Sequence, residues 1–142
     1  MEQTEKFSFL SPDFSTLWNY RREIISHLFS TEFEQMESPV EKKYEFVLRE
    51  LEFLVKGIMK NPKSYTLWFH RQWAIEKGLG LERQIMEKDA GMQWKSRILE
   101  TELKLCDKML AMDERNFHCW NYRLMIALQY LKEISLRLDP NA

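Results

Sequence analysis

The chain has 142 residues, of which 21 are Lys or Arg and 22 are Asp or Glu, so its formal net charge is −1. A hydrophobic fraction of 44% supplies enough apolar surface for a packed core, which excludes a wholly disordered chain. The near-neutral charge favours neither a nucleic-acid partner nor an anionic membrane surface, and no apolar run approaches the roughly 18 residues that span a bilayer. The segment from Met1 to Lys6 lacks the features of a signal peptide, so we expect a cytoplasmic protein.

A tryptophan-containing pentad occurs three times along the chain. The sequence LWNYR at residues 17–21 returns as LWFHR at residues 67–71 and as CWNYR at residues 119–123. A shared pentad at near-constant spacing is typical of a repeat protein. The tryptophans of the three pentads, Trp18, Trp68 and Trp120, are 50 and 52 residues apart.

Each pentad follows a tetrad that begins with an N-capping type of residue. These first residues are Ser11, Asn61 and Asp113, and each is followed by Pro or Glu. Such residues are favoured where a helix begins, so the pentads are predicted to lie in the first turns of helices.

The segments between the pentads have the 3.6-residue periodicity of helices. Apolar residues recur at this spacing from Val40 to Met59, where Ser38-Pro39 opens a helix and Asn61-Pro62 closes it and starts the next.

Because glycines interrupt it, the segment from Gly78 to Met92 is predicted to be mostly loop. Between Trp94 and Met112 two apolar stripes predict a helix covered on two sides: Leu99, Leu103, Cys106 and Leu110; Ile98, Leu105, Met109 and Met112. The last stripe alternates in steps of three and four: Phe117, Trp120, Leu124, Ala127, Leu131, Ile134 and Leu138.

These patterns predict an all-α fold without a sheet, because no stretch alternates with a period of two. Residues 1–142 are expected to form one α-α superhelix domain of three repeats, a right-handed α-solenoid of antiparallel helical hairpins similar to tetratricopeptide repeats. Stacking of the repeats would supply the core. A stack of three would leave exposed the apolar face meant for the next repeat, which predicts self-association or a partner.

In each pentad the Arg follows the Trp by three residues and shares its helix face. We expect the tryptophans to pack between the paired helices. The arginines Arg21, Arg71 and Arg123 could reach aromatic rings, carbonyls or carboxylates of a neighbouring repeat, or form a surface that binds a partner.

The remaining polar and thiol groups suggest no chemistry of their own. Cys106 is predicted to be a buried free thiol, because it falls on an apolar stripe. The acidic group Glu32, Glu34 and Glu37 is interpreted as a solvated loop or helix end. His27, His70 and His118 have no metal-binding spacing, so we expect no metal in this chain.

Three segments give the sequence a family resemblance. Residues 61–71 (NPKSYTLWFHR) and 113–123 (DERNFHCWNYR) resemble consecutive repeats of protein prenyltransferase α subunits, most of all those of Rab geranylgeranyltransferase (type II). Residues 12–23 (PDFSTLWNYRRE) resemble an earlier repeat. The resemblance extends over roughly residues 8 to 125, and three motifs in the right order make it specific.

The resemblance implies one subunit of a heterodimeric enzyme. In this family the α subunit is a crescent of helical hairpins around a β subunit, which holds the catalytic zinc and most of the isoprenoid pocket. The enzyme transfers a geranylgeranyl group from its diphosphate to C-terminal cysteines of Rab GTPases, which an escort protein presents. We therefore expect these partners, no cofactor within this chain, and no activity from the chain alone.

Three site residues follow from the family pattern. Lys63, after Pro62, matches a lysine that faces the diphosphate, and a helix N-terminus there would favour an anion. Tyr65 matches a position close to the same diphosphate, where either its hydroxyl or its ring could act. His118 matches a polar position near the rim of the active site, where a structural role is the alternative.

Departures from the family pattern leave a second function open. Family α subunits usually have five or more repeats, so this chain is expected to be a short or partial version of one. Phe69 stands where many relatives have a second histidine, and Phe117 stands where some have tyrosine. The alternative is a stand-alone helical scaffold that binds a protein partner without catalysis.

Overall fold

The computed structural model describes residues 2–3, 5, 15–88 and 96–138, and among these residues it contains helices and no strand. The predicted all-α class is therefore confirmed. The helices of the described ranges are α1 (Ser15–Ser30), a 3-10 helix (Phe33–Gln35), α2 (Pro39–Lys60), α3 (Tyr65–Glu87), α4 (Arg97–Met112) and α5 (Phe117–Leu138).

The chain divides into two compact units. The first unit, Met1–Lys95, contains α1, α2 and α3, and the second, Ser96–Ala142, contains α4 and α5.

Helices α2 and α3 form an antiparallel hairpin in the first unit. Tyr44, near the start of α2, donates a hydrogen bond of 2.8 Å to Glu82, near the end of α3. At the other end, Gly57 allows a close approach of the two helices, because a Cβ there would lie 3.3 Å from a methyl carbon of Leu67. The prediction that α2 opens at Ser38-Pro39 is confirmed, with Pro39 as its first residue.

The predicted loop from Gly78 to Met92 is wrong over its described part. Helix α3 continues through Gly78 and Gly80 to Glu87, while residues 89–92 lie outside the described residues. Glycine costs a helix about 1 kcal/mol relative to alanine, which tertiary packing readily offsets. Gly78 and its neighbours Ala74, Ile75 and Leu79 are buried, so packing decides the conformation here.

The pentads lie in the first turns of their helices, as predicted, but the capping residue differs. Asn61 ends α2, where its N–H donates to the carbonyl of Gly57, and the N-cap of α3 is Ser64. The matching turn before α5 has Asn116 in the corresponding place, and its side-chain oxygen accepts from the Cys119 N–H. In these two tetrads the first residue still donates its N–H to a carbonyl of the preceding helix. The tetrad is therefore a turn, and its last residue immediately precedes the next helix. Ser11 lies outside the described residues.

Helices α4 and α5 form the hairpin of the second unit. The Ser96 hydroxyl caps α4 by accepting from the Leu99 N–H at 3.1 Å. The Tyr122 hydroxyl of α5 donates to the buried carboxylate of Glu102 on α4, at 2.5 Å. Among the side chains of α5 that the structure describes, those of Cys119, Tyr122, Ile126 and Glu133 are buried.

The three pentad tryptophans do not share one environment. Trp18 and Trp68 are 1% and 5% exposed, whereas Trp120 is 51% exposed. The indole N–H of Trp68 donates to the Pro62 carbonyl and that of Trp120 to the Glu114 carbonyl, each at 2.8 Å. The prediction that Trp120 is packed between helices is therefore wrong. The local conformation repeats, but the burial of the ring does not.

The difference in burial predicts different costs for truncating two equivalent tryptophans. We expect Trp68→Ala to lower the free energy of unfolding by about 3–5 kcal/mol, as loss of a core aromatic does. Trp120→Ala, the matched control, should cost about 1 kcal/mol or less because its ring is half exposed. Urea unfolding followed by circular dichroism at low chain concentration measures both. Equal costs would contradict the assignment of Trp68 to the core.

Candidate functional site

Lys63 and Tyr65 both lie at the start of α3. Lys63 is in the turn between α2 and α3, immediately before the N-cap Ser64, so it is not in the first helical turn itself. Its side chain is exposed, and the exposed Tyr65 ring stacks on Phe69 with 6.4 Å between ring centroids. The backbone N–H groups of a helix's first turn have no intrahelical partner, so a cation beside them adds to a surface that favours anions.

His118 belongs to the second unit, as the second residue of α5. It is half-buried, and its ring lies 4.1 Å from the ring of Phe117, measured between centroids. Phe117 is the counterpart of Tyr65 in the other hairpin, 52 residues further along the chain. The second hairpin therefore has a ring but no hydroxyl at this position.

A buried polar cluster joins the three helices of the first unit. Arg21 of α1 makes two hydrogen bonds to Glu50 of α2, from Nε to Oε1 at 2.7 Å and from Nη2 to Oε2 at 2.6 Å. Both side chains are buried. Such a bidentate pair combines charge with fixed geometry, which offsets part of the cost of removing two charges from water. The Arg21 guanidinium also lies 4.9 Å from the centre of the Phe53 ring.

His70 of α3 completes this cluster. Its Nε2 lies 2.9 Å from Oε1 of Glu50, and its Nδ1 lies 3.1 Å from Nη1 of Arg22. Because a guanidinium can only donate, Nδ1 is the acceptor and Nε2–H donates to the carboxylate. The ring of Trp18 packs against this imidazole, with centroids 4.7 Å apart.

The cluster moves the pKa of both titratable partners downwards. Burial lowers the pKa of His70 below its ordinary value of 6.5, and the nearby guanidinium groups act in the same direction against the carboxylate. Burial by itself would raise the pKa of Glu50, but hydrogen bonds from Arg21 and His70 outweigh it and lower that pKa. The neutral imidazole and the ionised carboxylate are therefore the forms that the fold stabilises.

The pentad arginines connect helices, as one of the two sequence interpretations predicted. Arg71 donates to the carbonyl of Leu51 at 2.8 Å, and Arg123 donates to that of Leu103 at 3.4 Å, in each case 20 residues earlier. Arg123 also pairs with Asp107. Arg21 and Arg71 are buried, which contradicts the other interpretation, a partner-binding surface along the three arginines.

Sequence reasoning missed the buried glutamates, although a signal was present. Glu50 and Glu102 are 52 residues apart, the spacing of the second and third pentads, and each lies 20 residues before its partner, His70 or Tyr122. An acidic residue that recurs at the repeat spacing on a helix of apolar stripes indicates a paired, buried carboxylate.

The two cysteines carry no reactive thiolate. Both are buried and free, which confirms the prediction for Cys106, and the Cys119 thiol lies 3.6 Å from the Cys106 carbonyl oxygen. Burial raises the pKa of the Cys106 thiol, and the neighbouring Cys119 raises it further. A protonated thiol is a poor nucleophile.

The acidic residues between α1 and α2 lie on the surface, as predicted. Glu32, Glu34 and Glu37 are exposed, and Glu34 pairs with Lys43. Within the described ranges, no group of three or more His, Cys, Asp or Glu residues is placed to hold a metal ion. No described helix is long and apolar enough to cross a membrane.

The features of the two hairpins define the class of protein. Two antiparallel hairpins, each with a Trp near the start of its second helix and an Arg three residues later that binds the first helix, make this a helical-hairpin repeat protein. A family model described as "Protein prenyltransferase alpha subunit repeat" matches residues 47–78 and 99–130, one match for each hairpin. The chain belongs to the protein prenyltransferase α-subunit repeat family.

Curated relatives carry a more specific name. The chain is 40% identical over 129 residues to geranylgeranyl transferase type-2 subunit alpha of Rattus norvegicus, and this match covers 91% of the chain. It is 36% identical to the protein of the same name in Dictyostelium discoideum and 31% identical to that in Candida albicans. The matched part is 19% of the rat protein, 33% of the Dictyostelium protein and 29% of the Candida protein, so the chain spans about a fifth to a third of these relatives.

The lowered pKa of His70 predicts a specific pH dependence of stability. A base whose pKa is lower in the folded state stabilises the fold above its unfolded pKa and loses that contribution as the pH falls. We expect the free energy of unfolding to fall by up to about 1 kcal/mol between pH 7 and pH 5.5, where the unfolded imidazole takes up a proton and the folded one resists it.

Two variants test whether His70 causes this pH dependence of the free energy of unfolding. His70→Gln keeps a donor towards Glu50 and should flatten the pH dependence in that window, as measured by urea unfolding. The matched control His27→Gln removes an exposed imidazole and should retain the slope. Glu50 does not interfere, because its contribution is lost only below its ordinary pKa of 4.5. An unchanged slope in His70→Gln would refute the buried neutral imidazole.

Proposed function

We propose that this chain acts as the α subunit, or as part of the α subunit, of a protein prenyltransferase. Together with a β subunit it would support transfer of a geranylgeranyl group from its diphosphate to C-terminal cysteines of Rab proteins. The observation that carries this proposal is the likeness to geranylgeranyl transferase type-2 α subunits over 91% of the chain, which includes both hairpins.

Lys63 is the residue that we propose acts in the reaction. When a prenyl diphosphate reacts, negative charge develops on the departing diphosphate, and a cation held beside it stabilises the transition state. Lys63 is exposed and stands at the start of α3, where the positive end of the helix dipole favours the same anion. The lysine would therefore act electrostatically, without forming a bond to the lipid.

Tyr65 and His118 are proposed to lie on the diphosphate side of the same site. The exposed Tyr65 hydroxyl could donate a hydrogen bond to a phosphate oxygen, while its ring is held by Phe69. His118 is half-buried against Phe117, so only part of its surface is available to a ligand.

The remaining components would come from partners. The β subunit would hold the zinc ion and most of the lipid pocket, and an escort protein would present the Rab substrate. A zinc ion in such a site activates the thiol of the acceptor cysteine by favouring its thiolate. We expect the isolated chain to be inactive.

The alternative is a helical scaffold that binds a protein partner without catalysis. Its proposed binding surface was the line of pentad arginines, and the burial of Arg21 and Arg71 removes two of its three members. Co-purification with a type-2 β subunit separates the two functions. Co-elution of the two chains in size-exclusion chromatography supports a transferase subunit, and separate elution at micromolar concentrations supports the scaffold.

The electrostatic role of Lys63 predicts the effect of its substitutions. In a reconstituted assay with β subunit, escort protein, Rab and geranylgeranyl diphosphate, Lys63→Ala should lower kcat/KM by about tenfold or more, whereas Lys63→Arg should keep most of the activity. Lys56→Ala, which removes an exposed lysine of α2, is the matched control. Turnover of Lys63→Ala within about twofold of the parent would exclude this role.

A further inference from the structure

Two residues of the first unit depart from the pentad pattern and contact each other. The third residue of the pentad is asparagine in the first and third copies but Phe69 in the second. The residue after the pentad is Arg22 in the first copy, where the later copies have Gln72 and Leu124. The Arg22 guanidinium lies over the Phe69 ring, 5.1 Å from its centre. The second hairpin has neither side chain, so the repeat itself does not require this contact.

Three contacts fix the guanidinium of Arg22, which lies on α1. Its Nη1 donates to Nδ1 of His70 at 3.1 Å, its Nη2 donates to the side-chain oxygen of Asn19, and its carbon faces the Phe69 ring. A ring attracts a cation more strongly where water is partly excluded, and Arg22 is half-buried. The guanidinium therefore offers the Phe69 ring a surface of fixed position.

The Phe69 ring in turn contacts Tyr65, one helical turn earlier on α3. The two rings stack with 15° between their planes and 6.4 Å between their centroids. Tyr65 is 68% exposed, and an exposed side chain exchanges between rotamers unless a neighbour restrains it. In the second hairpin Phe117 takes the place of Tyr65, but its ring packs on His118, and the residue one turn later is Asn121. The stacked pair is thus particular to the first unit.

The direction of the Tyr65 hydroxyl matters for the proposed chemistry. A hydrogen bond weakens steeply when its angle is wrong, and a donor that stabilises developing charge must be in place before the reaction. We propose that Arg22 and Phe69 are positioning residues of the prenyl-transfer site: Arg22 fixes the Phe69 ring, and Phe69 orients the Tyr65 hydroxyl towards the departing diphosphate. This inference rests on the proposed function, and both residues act through Tyr65 rather than on the substrate.

The contact can be tested without an enzyme assay. The whole chain labelled with 3-fluorotyrosine has five labelled side chains, and Tyr65→Phe identifies the fluorine NMR resonance of Tyr65. In Phe69→Leu and in Arg22→Gln this resonance should shift towards its position in the urea-unfolded chain, because the stacked ring is lost or released. Arg49→Gln, which removes an exposed arginine of α2, is the matched control and should leave the resonance in place.

The choice of variants separates orientation from loss of the fold. Arg22→Gln keeps an amide donor for His70, and Phe69→Leu leaves the buried pair of His70 and Glu50 untouched. Phe69→Tyr retains a ring and should keep the Tyr65 resonance of the parent. Circular dichroism identifies the variants that fold. An unchanged Tyr65 resonance in folded Phe69→Leu or folded Arg22→Gln would overturn the proposal.

A double-mutant cycle connects the contact to activity. In the reconstituted assay Arg22→Gln should lower kcat/KM for geranylgeranyl diphosphate about three- to tenfold and leave the KM for the Rab substrate unchanged, which general damage to the subunit would not. In a Tyr65→Phe background the same substitution should change kcat/KM by less than about twofold, because the hydroxyl that Arg22 positions is already absent. Equal losses in the two backgrounds would overturn the proposal, since Arg22 would then act independently of Tyr65.

Failure of the proposed function gives a different pattern. Tyr65→Phe by itself would then leave kcat/KM within about twofold of the parent, which overturns the role of Arg22 in the reaction together with that of Tyr65. A shift of the Tyr65 resonance in Arg22→Gln and Phe69→Leu would still support the orienting contact, so the two failures are distinguishable.

Discussion

The first unit depends on one buried carboxylate. Glu50 of α2 accepts hydrogen bonds from Arg21 of α1 and lies within hydrogen-bond distance of His70 of α3, so three helices meet at two oxygen atoms. Loss of either partner would leave a charge or a polar group buried without compensation, which costs far more than an exposed ion pair is worth. Apolar packing supplies most of the stability, but this contact determines which residues of the three helices face one another.

The second hairpin uses the same positions with different chemistry. Glu102 takes the place of Glu50 and is bound by the hydroxyl of Tyr122, which takes the place of His70. The arginine that follows, Arg71 or Arg123, reaches a carbonyl of the preceding helix in both hairpins. The repeat therefore conserves a geometry, an acid on the first helix and a donor 20 residues later, while the donor itself can change.

Proposed functional groups and structural groups are separated along each hairpin. The buried acids and arginines join the helices, whereas Lys63 and Tyr65 are exposed at the start of α3. Substitution there can therefore alter chemistry with little effect on packing.

The sequence by itself determined the helices, because the 3.6-residue spacing, Pro39 and the recurring pentads are local signals that need no distant partner. It also determined the family, through residues 61–71 and 113–123, which carry the hairpin turns. Only the tertiary structure decided that α3 continues through Gly78 and Gly80, that Glu50 is the centre of a buried cluster, and that Trp120 is half exposed while Trp68 is not. Burial depends on what lies against a side chain, and residues far apart in the chain supply that neighbour, so similar pentads can end in different environments.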